Sequence, residues 1–135
     1  MVDKNDGIIW ATGRRKTSVA QVRMIPNGEG KYTINKKTID EFFGGNLRHI
    51  HNVKKPIGKI ESAAGFDIRA KVHGGGITGQ AEAIRHGIAR AIAKISDANK
   101  LTMRKEGFLT RDDRKVERKK PGQPKARKKF QYSKR

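Results

Sequence analysis

Apolar and polar positions alternate in two runs of the chain. In SVAQVRMI, residues 18–25, Ala20, Val22 and Met24 share one face while Gln21 and Arg23 share the other. That period of two marks a half-buried strand. In FDIRAKVH, residues 66–73, Phe66, Ile68, Ala70 and Val72 face one way and Asp67, Arg69, Lys71 and His73 the other. Between the runs, Pro26-Asn27-Gly28-Glu29-Gly30 has turn chemistry and leads into KYTIN at 31–35. The pattern predicts a hairpin whose second arm is 31–35. LRHIHNV at 47–53 fits either period and is assigned to a strand. Four strands result.

After residue 76 the period changes. Ile77, Ala81, Ile84, Ile88, Ile92 and Ile95 recur at helical spacing. At about 100° per residue, the five from Ala81 to Ile95 fall within an arc of about 80°. Arg85, His86, Arg90 and Lys94 take the opposite side. Shorter helices are marked by their ends. Thr38 and Glu41 have capping-box spacing before Phe42 and Phe43, and Gly44-Gly45 stops that helix. Pro56 and Gly65 bracket a helix at 56–64. Ser96 caps a last helix from Asp97 to Glu106, ended by Gly107. This order predicts an α+β fold of two layers, a four-stranded sheet covered on one face by helices.

Charge divides the chain. Of its 135 residues, 32 are Lys or Arg and 13 are Asp or Glu, for a net charge of +19. Such an excess repels itself unless a polyanion neutralises it. Nucleic acid is the leading choice, and an anionic membrane surface is its main rival. Residues 111–135 hold twelve basic and three acidic side chains, and no acidic residue follows Glu117. Pro121, Gly122 and Pro124 interrupt any helix there. The division is therefore a globular domain over 1–110 and an extended basic tail over 111–135. Phe130 and Tyr132 stand among tail cations, which suits RNA, where phosphates pair with cations and bases stack on rings.

Cysteine is absent, which removes disulfides, thiolate metal sites and a Cys nucleophile. No apolar run approaches the roughly 18 residues of a membrane span. The opening MVDKNDGIIW resembles neither a signal nor a transit peptide, so the expected location is the cytoplasm.

VHGGGITGQ, residues 72–80, puts Gly74, Gly76 and Gly79 in G-x-G-x-x-G spacing between a strand and a helix. A dinucleotide fold needs an acidic residue ending a second parallel strand about 20 positions later. Here that stretch is helix, and Asp97 caps the next one. No Gly-Lys-Ser/Thr triplet makes a P-loop. The esterase echo of His-Gly-Gly-Gly lacks a G-x-S-x-G turn. His49, His51, His73 and His86 form no metal motif. The glycines then serve either a tight strand-to-helix turn or the approach of a phosphate to the helix N-terminus. Neither cofactor nor catalysis is expected.

Four segments, TGRRKTSVAQVR (12–23), VHGGGITGQAEAIRHGIARAI (72–92), GFLTRDDRKVERKK (107–120) and QYSKR (131–135), occur in this order. Together they resemble the family of the ninth protein of the small ribosomal subunit, in its bacterial form. Residues 40–65 match loosely. The resemblance implies a component of the small-subunit head that binds small-subunit rRNA beside neighbouring ribosomal proteins. It implies a left-handed βαβ crossover in the fold. It also implies a tail that reaches the anticodon stem-loop of the peptidyl-site tRNA. On that basis Arg14, Arg15, Lys16, Gly74, Gly75, Gly76, Arg118, Lys119, Lys120, Lys125, Arg127, Lys128 and Lys129 are the expected rRNA contacts. Tyr132, Ser133, Lys134 and Arg135 are the expected tRNA contacts. The alternatives are a freestanding RNA or DNA chaperone and, through the glycine loop alone, a cofactor enzyme.

Overall fold

The computed structural model describes residues 7–134. Its centre is one mixed sheet of five strands: β1 (Ile9–Arg15), β2 (Ser18–Ile25), β3 (Tyr32–Ile34), β4 (Lys37–Thr38) and β5 (Asp67–His73). They lie in the order β1-β2-β5-β3-β4. Four helices accompany them: α1 (Ile39–Phe42), α2 (Leu47–Gly58), α3 (Ile77–Ala93) and α4 (Asp97–Lys105). The fold is α+β, as expected.

The two alternating runs are the central strands. Ala20, Val22 and Met24 of β2 and Ile68, Ala70 and Val72 of β5 point into the core, and the strands pair antiparallel with Met24 opposite Ile68. On α3 the core side is wider than the isoleucine stripe. Ala83, Gly87, Ala89 and Ala91 are buried along with Ala81, Ile84, Ile88 and Ile92, while Ile77 at the first turn is exposed.

The small residues explain how closely α3 sits. A Cβ on Gly13 would lie 1.9 Å from the Ala83 carbonyl oxygen, and one on Gly87 would lie 2.6 Å from Val22 Cγ2. Helix backbone therefore rests on strand backbone where α3 crosses β1. The helix also closes the free edge of that strand. Arg90 donates to the Thr12 carbonyl at 2.6 Å, Lys94 donates to the Trp10 carbonyl, and the Arg14 amide donates to His86 Nδ1 at 3.2 Å. Three side chains spaced four apart, two on α3 and one at its C-cap, thus satisfy backbone groups that would otherwise invite another strand.

Two assignments merge into one element. Residues 47–53 are not a strand, and no helix spans 56–64. One helix, α2, covers 47–58, with Asn46 accepting from the Arg48 amide at 3.1 Å as its cap. Ile50, Val53 and Pro56 are its buried residues, three apart, and that spacing outweighs the β-branched composition. Pro56 stands in the last turn rather than the first, and a 3₁₀ turn at Glu61–Ala63 follows. His49 and His51 accordingly lie on a helix.

The predicted hairpin of 18–25 with 31–35 does not form either. β2 pairs with β1 and β5, while β3 runs parallel to β5 and antiparallel to β4. The 26–30 turn wraps the start of β5 instead of closing on β2. Gly28 N donates to the Gly65 carbonyl at 2.8 Å, and Asp67 Oδ1 accepts from the amides of Glu29 and Lys31. These amides hold the Asp67 carboxyl below its ordinary pKa. The sheet gains β1 and β4, so it has five strands and not four. The ends of α1 and α4 follow their caps: Thr38 accepts from Glu41 N and Ser96 from Asn99 N. Gly44, Gly45 and Gly107 have positive φ beyond them.

Candidate nucleic-acid interface

β1 and β2 form a tight hairpin in which Arg15 faces Ser18. Lys16 at its tip has a left-handed φ of 52°. The glycine loop packs against this tip. Gly74 and Gly75 have φ of 76° and 62°, and a Cβ on either would lie 2.6 Å from the Thr17 carbonyl oxygen or 2.2 Å from Ser18 Oγ. The Ser18 hydroxyl is fully buried and donates to the Gly74 carbonyl at 2.9 Å. These two glycines, then, are required by backbone contact with the hairpin. Gly76 is different. Nothing lies within 4 Å of where its Cβ would be. It is the N-cap of α3 and offers no side chain to the first helical amides, which leaves the positive end of the helix dipole open.

The three cations of the hairpin have unlike surroundings. Arg14 and Lys16 are exposed or nearly so and make no ion pair among the described residues. Arg15 is held inside the protein. Its Nε donates to Glu82 Oε2 of α3 at 2.5 Å, and Nη1 lies 3.2 Å from Asp112 Oδ1. Nη1 also donates to the carbonyls of Asp112 at 3.2 Å and Arg114 at 2.8 Å. One guanidinium thereby ties the hairpin to α3 and to the start of the tail, a task suited to its planar fork of donors. Asp112 also accepts from the Arg114 side chain and amide. Those bonds, with the nearby Arg15 charge, hold its carboxyl well below the usual range.

His86 adds a second tie. Its Nδ1 accepts from the Arg14 amide, so Nε2 carries the proton and donates to the Leu109 carbonyl at 3.3 Å. Burial pushes its pKa down, and Arg90, Arg111 and Arg85 push the same way. Beside it Arg85 bonds Asn52 Oδ1 at 2.7 Å and stands over the Phe108 ring. Residues 108–114 are thus fastened to the body by Arg15, Glu82, Arg85 and His86. Glu82 and His86 were assigned no role from the sequence. Their helical spacing on the polar side of α3 was visible, but their partners were not.

Beyond Arg114 the side-chain bonds become local. Glu117 accepts from Lys120 and from Arg127 Nε, the latter at 2.9 Å, and its pKa is lowered by both. Arg118, Lys119, Lys125, Lys128, Lys129 and Lys134 make no ion pair among the described residues. Phe130 and Tyr132 are 70% and 88% exposed, so no packing within the chain accounts for them. Ser133 is exposed too, and Arg135 lies outside the described residues. The hairpin tip and the tail root meet at a cleft of about 360 Å³ lined by Lys16, Thr17, Arg111, Asp113 and Lys115. Among the described residues there is no cluster of three metal-ligating side chains, and no helix is long and apolar enough to cross a membrane.

This arrangement presents backbone amides, unpaired cations and exposed rings, the chemistry of a polyanion surface. Comparison with known proteins names its kind. The family model for ribosomal protein S9/S16 matches residues 13–135. The chain belongs to the ribosomal protein S9/S16 family. It is 50% identical to the small ribosomal subunit protein uS9 of Phocaeicola vulgatus, over 95% of this chain and 98% of the relative. The uS9 protein of Azobacteroides pseudotrichonymphae is 53% identical over the same shares. That of Gloeothece citriformis is 47% identical over 98% of this chain and 96% of the relative. As a member of the S9/S16 family the protein is a structural ribosomal component and not an enzyme. The expected resemblance holds, and the glycine spacing belongs to a ribosomal protein rather than a dinucleotide fold.

Proposed function

We propose that the protein is built into the head of the small ribosomal subunit, where its body binds rRNA and its tail reaches the peptidyl-site tRNA. Arg14 and Lys16 at the hairpin tip, the open α3 amides behind Gly76, and the tail cations Arg118, Lys119, Lys120, Lys125, Arg127, Lys128 and Lys129 contact rRNA phosphates. Arg15 acts differently from the role its sequence position suggests: it sets the direction in which the tail leaves the body. Lys120 and Arg127 exchange Glu117 for phosphate on binding. Tyr132, Ser133, Lys134 and Arg135 touch the tRNA backbone. The neighbours are other proteins of the head, and the location is the cytoplasm.

The observation that carries this reading is the contrast at Arg15. Glu82 and Asp112 both lie against that one guanidinium, while the cations on either side of it in the hairpin stay unpaired. Counterion release by such cations gives salt-dependent affinity for RNA. The test places a photo-crosslinking side chain at Tyr132 in the full chain and incorporates it into small subunits. Crosslinks to tRNA in the peptidyl site support the assignment. Efficient assembly with crosslinks to rRNA alone removes the tRNA role and leaves the rRNA role standing.

A further inference from the structure

The helices leave one face of the sheet uncovered, and its side chains form a basic field. β2 contributes Gln21 and Arg23, and β5 contributes Arg69, Lys71 and His73, all exposed. The register aligns them across the strands: Trp10 faces Arg23, Arg23 faces Arg69, and Arg69 faces Thr33. In the next row Thr12 faces Gln21, which faces Lys71. Together with Asn35 and Lys36 these strands line a shallow groove of about 750 Å³.

Two features of this field are unfavourable for the free protein. Arg23 and Arg69 are like charges directly opposite on neighbouring strands, an arrangement that destabilises a sheet. Among the described residues, neither they nor Lys71 has a carboxylate partner. The one acidic side chain in the β5 row, Asp67, is occupied by the amides of Glu29 and Lys31. An anion laid across the rows relieves both. The indole ring of this face, Trp10, is 36% exposed and carries the Arg23 guanidinium 4.0 Å from its centre, a stacking arrangement also used toward nucleic acid.

We propose that this open sheet face is a second RNA-binding surface, separate from the hairpin tip and the tail, on which Arg23, Arg69 and Lys71 take phosphates of an RNA strand beside Trp10. The inference rests on the functional reading above. RNA fits better than a protein partner because the face offers cations and a groove floored by strand backbone, and among the described residues Trp10 is its one exposed large apolar side chain to anchor a protein.

The chain contains one tryptophan, so its emission reports on this face alone. Small-subunit rRNA is titrated into the full-length protein, and acrylamide quenching of Trp10 is followed alongside fluorescence anisotropy of labelled rRNA. Binding is expected to shield Trp10 from acrylamide in step with the anisotropy change. In the triple variant Arg23→Thr, Arg69→Thr and Lys71→Thr, chosen to keep strand propensity, the log–log salt slope is expected to fall by about 2, which corresponds to about 100-fold weaker binding at 0.1 M salt. The unfolding midpoint of the variant without RNA shows whether the fold persists. Tight rRNA binding that leaves Trp10 equally quenchable, or a folded triple variant with an unchanged slope, overturns the proposal and returns the face to a protein partner or to solvent. Absence of rRNA binding by the unaltered protein overturns the functional reading itself.

Discussion

The tail root, residues 108–114, and the tail proper, from Lys115 onward, both carry basic residues, two in the first and ten in the second, yet they are organised in opposite ways. In the root, two cations stand beside two carboxylates in sequence, and Asp112 is the paired one. Asp112 bridges Arg15 and Arg114, Glu82 meets Arg15, and His86 holds the Leu109 carbonyl. In the tail proper the one acidic side chain is Glu117, shared by Lys120 and Arg127, while Arg118, Lys119, Lys125, Lys128, Lys129 and Lys134 have no carboxylate partner among the described residues. Composition therefore does not separate a structural cation from a binding one; the presence of a partner does. A cation whose field is already spent on a carboxylate releases few counterions to RNA, whereas an unpaired one releases its full share.

The largest effect should follow from cutting the chain after Arg114. Ten basic residues are lost, and if half of them neutralise phosphates the log–log salt slope of rRNA binding falls by about 4. Thermal unfolding should stay within about 0.5 kcal/mol of the full chain, since no buried contact goes. A large drop in melting temperature would show that the tail supports the body and would erase the distinction between the two regions.

A smaller effect concerns the root alone. His86 has its folded pKa pushed below the unfolded value, so the unfolded chain binds more protons between the two. Its contribution to stability is present above the ordinary histidine value, near 6.5, and is lost as pH falls through the lower folded value. Protonation puts a hydrogen on Nδ1, which then no longer accepts from the Arg14 amide. Thermal melts between pH 7 and 5 should show this decline, and His86→Gln, which does not titrate, should flatten it. Amide protection factors at 109–112, with the intrinsic pH dependence of exchange divided out, should fall with acid in the original protein, while those at 118–134 stay unchanged. An equal pH response in both regions would contradict the clamp.

The smallest effect belongs to the last three residues. Deleting Ser133, Lys134 and Arg135 removes one or two phosphate contacts, so the salt slope of tRNA binding to subunits should fall by about 1 to 2, with stability and assembly unchanged. Filter binding at two salt concentrations reads the difference. Equal slopes would remove the tip of the tail from tRNA contact.

Much of this was legible in the sequence because its signals were local. The isoleucine stripe placed α3, clean alternation placed β2 and β5, and the caps at Thr38 and Ser96 placed α1 and α4. Strand β1 escaped because its inward positions include Ala11 and Gly13, small so that α3 can approach, and small residues hide a hydrophobic period. At 47–58 the buried residues Ile50, Val53 and Pro56 carried the helical spacing, but proline and β-branched residues masked it. The hairpin was misassigned because β5, far along the chain, inserts between β2 and β3. For the site, position and charge of the basic residues were readable. What Arg15 does was not, because its partners Glu82 and Asp112 lie 67 and 97 residues away. Nothing in a run of three basic residues marks the middle one as buried.

The distinction between paired and unpaired cations is tested most directly by comparing two variants in one pair of assays. Arg15→Ala removes the clamp; Arg118→Ala, Lys119→Ala and Lys120→Ala together remove unpaired or loosely paired tail charge. Urea unfolding and the salt dependence of rRNA binding are measured for each. Arg15→Ala should lose about 1–2 kcal/mol of stability, since charged hydrogen bonds are broken and Glu82 and Asp112 are left facing each other, with the salt slope nearly unchanged. The triple variant should keep its stability and lose about 2 from the slope. The opposite pattern, a flattened slope with intact stability for Arg15→Ala, would show that the arginine leaves its carboxylates for phosphate and would contradict the account.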